Sequence, residues 1–105
     1  PLYTNVQQRA RIAKAQADVR TLGSLVAIYT AHMGTLPVAL TDLTAAAVNG
    51  LGQSAGPFVG KIPLTPPGGN GPWDAAYAYT ANANGTFVVT ASGDGTIVCV
   101  GAPCP

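Results

Sequence analysis

Residues 3–33 read YTNVQQRARIAKAQADVRTLGSLVAIYTAHM. No proline interrupts them, and the single glycine is Gly23. Ala, Gln, Arg, Leu and Lys dominate residues 7–22, all good helix formers. Apolar residues recur at Ile12, Ala15, Val19, Leu22, Val26, Tyr29, Met33 and Leu36, in alternating steps of three and four. That spacing predicts one long helix rather than a strand. Its end is marked by Gly34, which suits the position just past the last turn, and by Pro37, which forbids continuation.

The helix changes character along its length. Arg9, Arg11, Lys14 and Arg20 face only Asp18 within residues 1–20, a net charge of +3. Residues 21–33 hold no Asp, Glu, Lys or Arg and are apolar on more than one side. The second half is therefore expected inside a domain, and the first half to have a wet face beside a narrow Ala-rich stripe. Such a helix is about 45 Å long, against about 30 Å for the diameter of a small domain. It is expected to project, and the stem residues Arg9, Arg11, Ile12, Lys14, Ala15, Asp18 and Val19 are expected to meet another subunit.

The rest of the chain reads as a small sheet with loops. Residues 41–47 resemble a short helix capped by Thr41. Residues 49–72 are a Gly/Pro-rich loop, with an extended piece expected at Phe58–Leu64. Strands are expected at Ala76–Thr80, Thr86–Ala91 and Thr96–Val100, joined through Asn84-Gly85 and Asp94-Gly95, both strong hairpin signals. They make a three-stranded antiparallel meander, and the apolar half of the helix is the one large surface able to cover it. The predicted fold is α+β, in a single domain: helix over 1–34, short helix and loop over 35–75, sheet and tail over 76–105.

Composition narrows the function. The chain has 105 residues, 48% of them apolar and 9% charged, with a net charge of +1. Disorder needs the opposite balance. Five cations make no electrostatic footprint for nucleic acid. Cys99 and Cys104 enclose Gly101 and Pro103, which suit a tight reversal, and the pair is read as a disulfide pinning the tail. A zinc site would want four ligands, and redox pairs usually enclose two residues rather than four. A disulfide implies an oxidising compartment. No apolar run is long enough to span a membrane. The chain starts at Pro1 without Met, so an upstream exporting segment is expected.

The order of these pieces resembles the globular part of type IV pilin-like proteins, and in particular the major pseudopilin of type II secretion systems. Pro1-Leu2-Tyr3 followed by Arg11-Ile12-Ala13-Lys14-Ala15-Gln16-Ala17-Asp18-Val19 resembles the family's helix after its hydrophobic segment. Leu25-Val26-Ala27-Ile28-Tyr29 through Gly34-Thr35-Leu36-Pro37, then Leu43, resembles its helix end and next loop. Gly60-Lys61-Ile62-Pro63, Pro72-Trp73-Asp74 and Tyr77-Ala78-Tyr79 resemble its entry into the sheet. The resemblance implies a preceding apolar segment that anchors the subunit in the inner membrane and later forms the filament core. It implies as partners further copies of the chain in a helical filament, other pilins or pseudopilins, and the inner-membrane assembly machinery. It also implies a calcium ion in an acidic C-terminal loop. Here that region holds only Asp94, with Asp74 before the strands, too few carboxylates for an ion that takes six to eight oxygens. No cofactor is therefore expected, with calcium at Asp94 as the alternative, and the Cys99–Cys104 bridge is expected to clamp the tail instead.

Catalysis finds no constellation. His32 sits at a helix C-terminus, where a cation is favoured, and no motif frames a nucleophile beside it. Asn84-Gly85-Thr86 matches a glycosylation pattern that a hairpin turn explains more simply. The expected function is a structural filament subunit. The alternative is a minor pilin at a filament tip, contacting DNA or a surface ligand through loop 49–72. The basic stem against a head of net charge −2 adds an expected charge complementarity between neighbours.

Overall fold

The computed structural model describes residues 2–69 and 71–105. Pro1, which the sequence places at the head of the helix, lies outside the described residues, as does Asn70 of the long loop. Helix α1 runs Leu2–Met33. It stops as expected: Gly34, at φ 81°, donates its N–H to the Thr30 carbonyl at 2.7 Å. A 3-10 helix, Leu40–Thr44, comes next. Its start differs from the sequence expectation. Thr41 lies inside it, and the flanking residue is Ala39, whose side chain can accept nothing. Asp42 does the capping by reaching back to the N–H groups of Val38 and Ala39, at 3.0 and 3.3 Å.

Five strands follow among the described residues. β1 (Ala47–Val48) and β2 (Ser54–Ala55) form a small hairpin, most of it inside the segment expected to be loop. Asn49 organises its turn, its Oδ1 accepting from the N–H groups of Leu51 and Gln53. The meander consists of β3 (Ala78–Ala81), β4 (Phe87–Gly93) and β5 (Thr96–Gly101), antiparallel in that spatial order. Gly93 faces Thr96, so β4 and β5 are joined by the two residues Asp94 and Gly95, at φ 50° and 74°. Positive φ at both is what a type I′ hairpin turn demands.

The extended piece expected at Phe58–Leu64 forms no ladder. Pro63 has no N–H to give one. The N–H groups of Phe58 and Val59 donate instead to the Leu43 carbonyl, and Phe58 stacks edge-on against Tyr29 with ring centroids 5.4 Å apart.

The core lies between α1 and the meander. Ala15, Val19, Leu22 and Val26 come from the helix, Leu40 and Leu43 from the 3-10 helix, Trp73 and Tyr77 from the approach to the sheet, and Val89, Ala91 and Val98 from β4 and β5. Along β4 the buried positions alternate, Val89, Ala91 and Gly93, as one covered sheet face requires. Small residues let the layers approach. A Cβ at Gly23 would lie 3.0 Å from Val100 Cγ1, and one at Gly93 would fall 2.3 Å from the Trp73 ring.

Candidate functional site

The molecule measures 57 × 27 × 17 Å, and its long axis reflects the helix. From Leu2 to Ala10 every residue of α1 is exposed except the half-buried Gln8. Nine residues at 1.5 Å each make a bare stem of roughly 14 Å. From Arg11 onward the chain's own sheet and loops cover one side.

That cover redistributes the residues expected at a subunit interface. Ala15 and Val19 are buried in the core, and the half-buried Ile12 packs against it. The expectation rested on a helix of about 45 Å outreaching a small domain of about 30 Å. The meander and the loop leading to it reach further along α1 than that estimate allowed. Lys14 Nζ bonds Asp18 Oδ2 at 2.6 Å and the Leu64 carbonyl at 2.5 Å, holding the loop to the helix. The Tyr77 hydroxyl donates to the same Asp18 oxygen at 2.5 Å. Burial, then that bond, drives the Tyr77 pKa far above the usual phenol value. Of the seven, Arg9 alone is both exposed and outside the ion pairs found among the described residues.

Arg11 is the most engaged of them. Its Nε donates to Asp94 Oδ2 at 2.7 Å and its Nη2 to Oδ1 at 3.0 Å. Trp73 Nε1 donates to Oδ2 at 2.9 Å, and Gln8 Nε2 to the Asp94 carbonyl at 3.2 Å. The Arg11 hydrogen bonds hold the Asp94 carboxyl below its ordinary range, against the opposing pull of burial and with the indole assisting. The same bond raises Arg11 above its own ordinary value. The cross-charge attraction expected between neighbours is thus in part made within one chain, between stem and head.

These residues do not fit calcium. Both Asp94 oxygens are occupied by N–H donors, and its side chain is only 5% exposed. Asp74 accepts from the Ser92 N–H at 2.9 Å. No three His, Cys, Asp or Glu side chains converge among the described residues.

The disulfide Cys99–Cys104 is present, with its Cα atoms 5.9 Å apart, and joins β5 to the tail. Asn82 Nδ2 donates to the Ala102 carbonyl at 3.0 Å, a second hold on the same segment. His32 is occupied structurally, its Nε2 3.0 Å from the Ala47 carbonyl. An apolar groove of about 460 Å³ lies between the 3-10 helix and the edge strand β3, lined by Val38, Leu64 and Tyr79 among others. The Tyr79 hydroxyl there donates to the Pro37 carbonyl at 2.7 Å.

Sequence reasoning missed the other side of α1. Tyr3, Val6, Ala10, Ala13, Ala17, Ser24 and Ile28 also recur in helical steps, and all are exposed. They lie opposite Ile12, Ala15, Val19, Leu22 and Val26, while the charges of Arg9, Arg11, Lys14 and Asp18 sit on the flanks. The helix therefore has two apolar or small-residue faces back to back and almost no net amphipathicity. The signal was present in the same spacing, displaced around the helix.

A bare stem, a helix with apolar side chains exposed on its back and a head built on a meander are the features of a pilin-like subunit. The sequence matches, over residues 3–98, the family described as Type II secretion system (T2SS), protein G. The chain belongs to that family. It is a pseudopilin of the type II secretion system, from a family of structural subunits rather than enzymes. The comparisons with curated proteins and with solved structures found no match.

Proposed function

We propose that this pseudopilin polymerises into a type II secretion pseudopilus, copies of α1 packing through the face turned away from their own sheets. The observation behind this is the uncovered apolar back of α1. Tyr3, Val6 and Ile28 are 74, 54 and 54% exposed, with small side chains at Ala10, Ala13, Ala17 and Ser24 between them and the polar Arg20 and Thr21 in the turn between Ala17 and Ser24. A helix apolar on both sides is normally covered on both sides, and small residues let neighbouring backbones approach closely. Arg9 and Arg20, exposed on the flanks, supply positive charge that favours an acidic patch of the next copy. A repeated head-to-tail contact of this kind builds an open filament rather than a closed ring.

Before assembly the head would stand on the periplasmic side of the inner membrane, where its disulfide is stable. In the filament it would help move folded cargo outward. The tip-bound alternative gains less support, because Lys61 is the one cation between residues 49 and 72 and offers nucleic acid little. The decisive experiment expresses the full gene product with the secretion assembly machinery and examines sheared surface material by electron microscopy. Filaments containing this chain are expected. Their absence, with the protein present and folded in the periplasm, defeats the reading.

A further inference from the structure

We propose that Arg11 supplies the cation of the β4–β5 turn, so that this pseudopilin holds its head and stem together without calcium. The turn presents one carboxylate, and that carboxylate is nearly fully buried. A buried carboxylate needs a cation or a full set of donors. Calcium would satisfy it with six to eight oxygens, several from other carboxylates. Here a guanidinium arrives from α1, 83 residues upstream, and binds both oxygens at 2.7 and 3.0 Å. This is the fork-to-fork match of a planar guanidinium with a carboxylate, and it takes up both of the oxygens that a metal ion would use.

The surroundings are built for that pair. The Trp73 indole donates to Oδ2, and the Asp94 N–H donates to the Gly71 carbonyl at 2.8 Å. The loop closes directly over the two charges: a Cβ at Gly69 would lie 2.9 Å from both Arg11 Nη2 and Asp94 Oδ1. A calcium ion would have to displace the guanidinium and then lie beside it. Arg11 stands where the bare stem first meets the head, so the pair ties the two together at that point. The pair forms within a single chain and does not require polymerisation. It is tested on that single chain, so its failure leaves the filament proposal standing.

The test is thermal melting of the 105-residue chain in excess calcium chloride and in excess chelator. The two Tm values are expected to agree within about 1 °C, since a ligand that does not bind the native state shifts nothing. A larger rise with calcium overturns the proposal. Arg11→Gln is expected to lower Tm by about 5 °C or more, and Arg11→Lys by less, because the ammonium keeps the charge but loses the fork. A wild-type Tm for Arg11→Gln also overturns it. Should Arg11→Gln fail to fold, the double variant Arg11→Gln/Asp94→Asn decides. Removing both partners removes the unpaired buried charge, so the double variant is expected to be the more stable of the two. Equal or lower stability counts against the pair.

Discussion

The two long faces of α1 differ in what covers them, although both carry apolar side chains. The inner face, Ile12 to Val26, is filled by β4, β5 and the 3-10 helix. The outer face, Tyr3 to Ile28, keeps the step of three and four as far as Ala17, is interrupted by Arg20 and Thr21, resumes at Ser24 and Ile28, and stays exposed. Apolar spacing thus specifies that a helix has a face to bury, and says nothing of whether the cover comes from within the chain or from another. The inner face contributes to folding a single copy. The outer face is spare until copies meet.

Substitutions on the two faces can break or sharpen that contrast. The largest loss of stability is expected for Leu22→Ala. Leu22 is fully buried, and a cavity there should cost about 3 kcal/mol, read from the midpoint of urea unfolding. A loss of less than half that would mean that the inner face is loosely packed. Next is the tail. Replacing Cys99 and Cys104 by Ser removes a closed loop of five-residue separation and should cost at most about 2 kcal/mol. Hydrogen exchange should quicken after Val100 and stay slow in α1.

A smaller effect is expected from pH. Asp94 is held below its ordinary range by Arg11, so the folded state binds its proton more weakly than the unfolded state. The resulting stability is present above the unfolded pKa, about 4, and is lost as pH falls through the lower folded value. The gap in Tm between wild type and Asp94→Asn should therefore narrow below about pH 4. A gap that is constant with pH would show that the pair contributes little. The smallest change in stability, within about 0.5 kcal/mol, is expected for Ala17→Arg on the outer face. The same variant should abolish filament incorporation, and normal filaments would remove the outer face from the interface.

Much of the head is legible in the sequence because its signals are local. Asp94-Gly95 fixes a two-residue turn through its own backbone preferences, and Gly34 with Pro37 ends α1 in the same way. The three meander strands fall within a residue or two of their expected places for the same reason. The 3-10 helix starts elsewhere than expected because Asp42 caps it from inside, against a chain path set by Pro37. The β1–β2 hairpin is hidden from sequence because two residues per strand give no alternation to detect. Of the stem residues, Ala15 and Val19 are buried in the chain's own core, and Arg11, Lys14 and Asp18 are engaged in ion pairs within the chain. Arg11 and Asp94 are 83 residues apart, and no spacing rule joins them.

By itself the sequence determined the long helix, its end, the meander and the disulfide. Each comes from the torsional and hydrogen-bonding preferences of neighbouring residues, or from the short reach of five residues. The tertiary structure alone decided which apolar face the sheet would occupy, how far up the stem its cover would run, and that Arg11 would neutralise the turn. Those outcomes depend on elements distant in the chain meeting in space, where burial and charge act on whatever the fold has brought together.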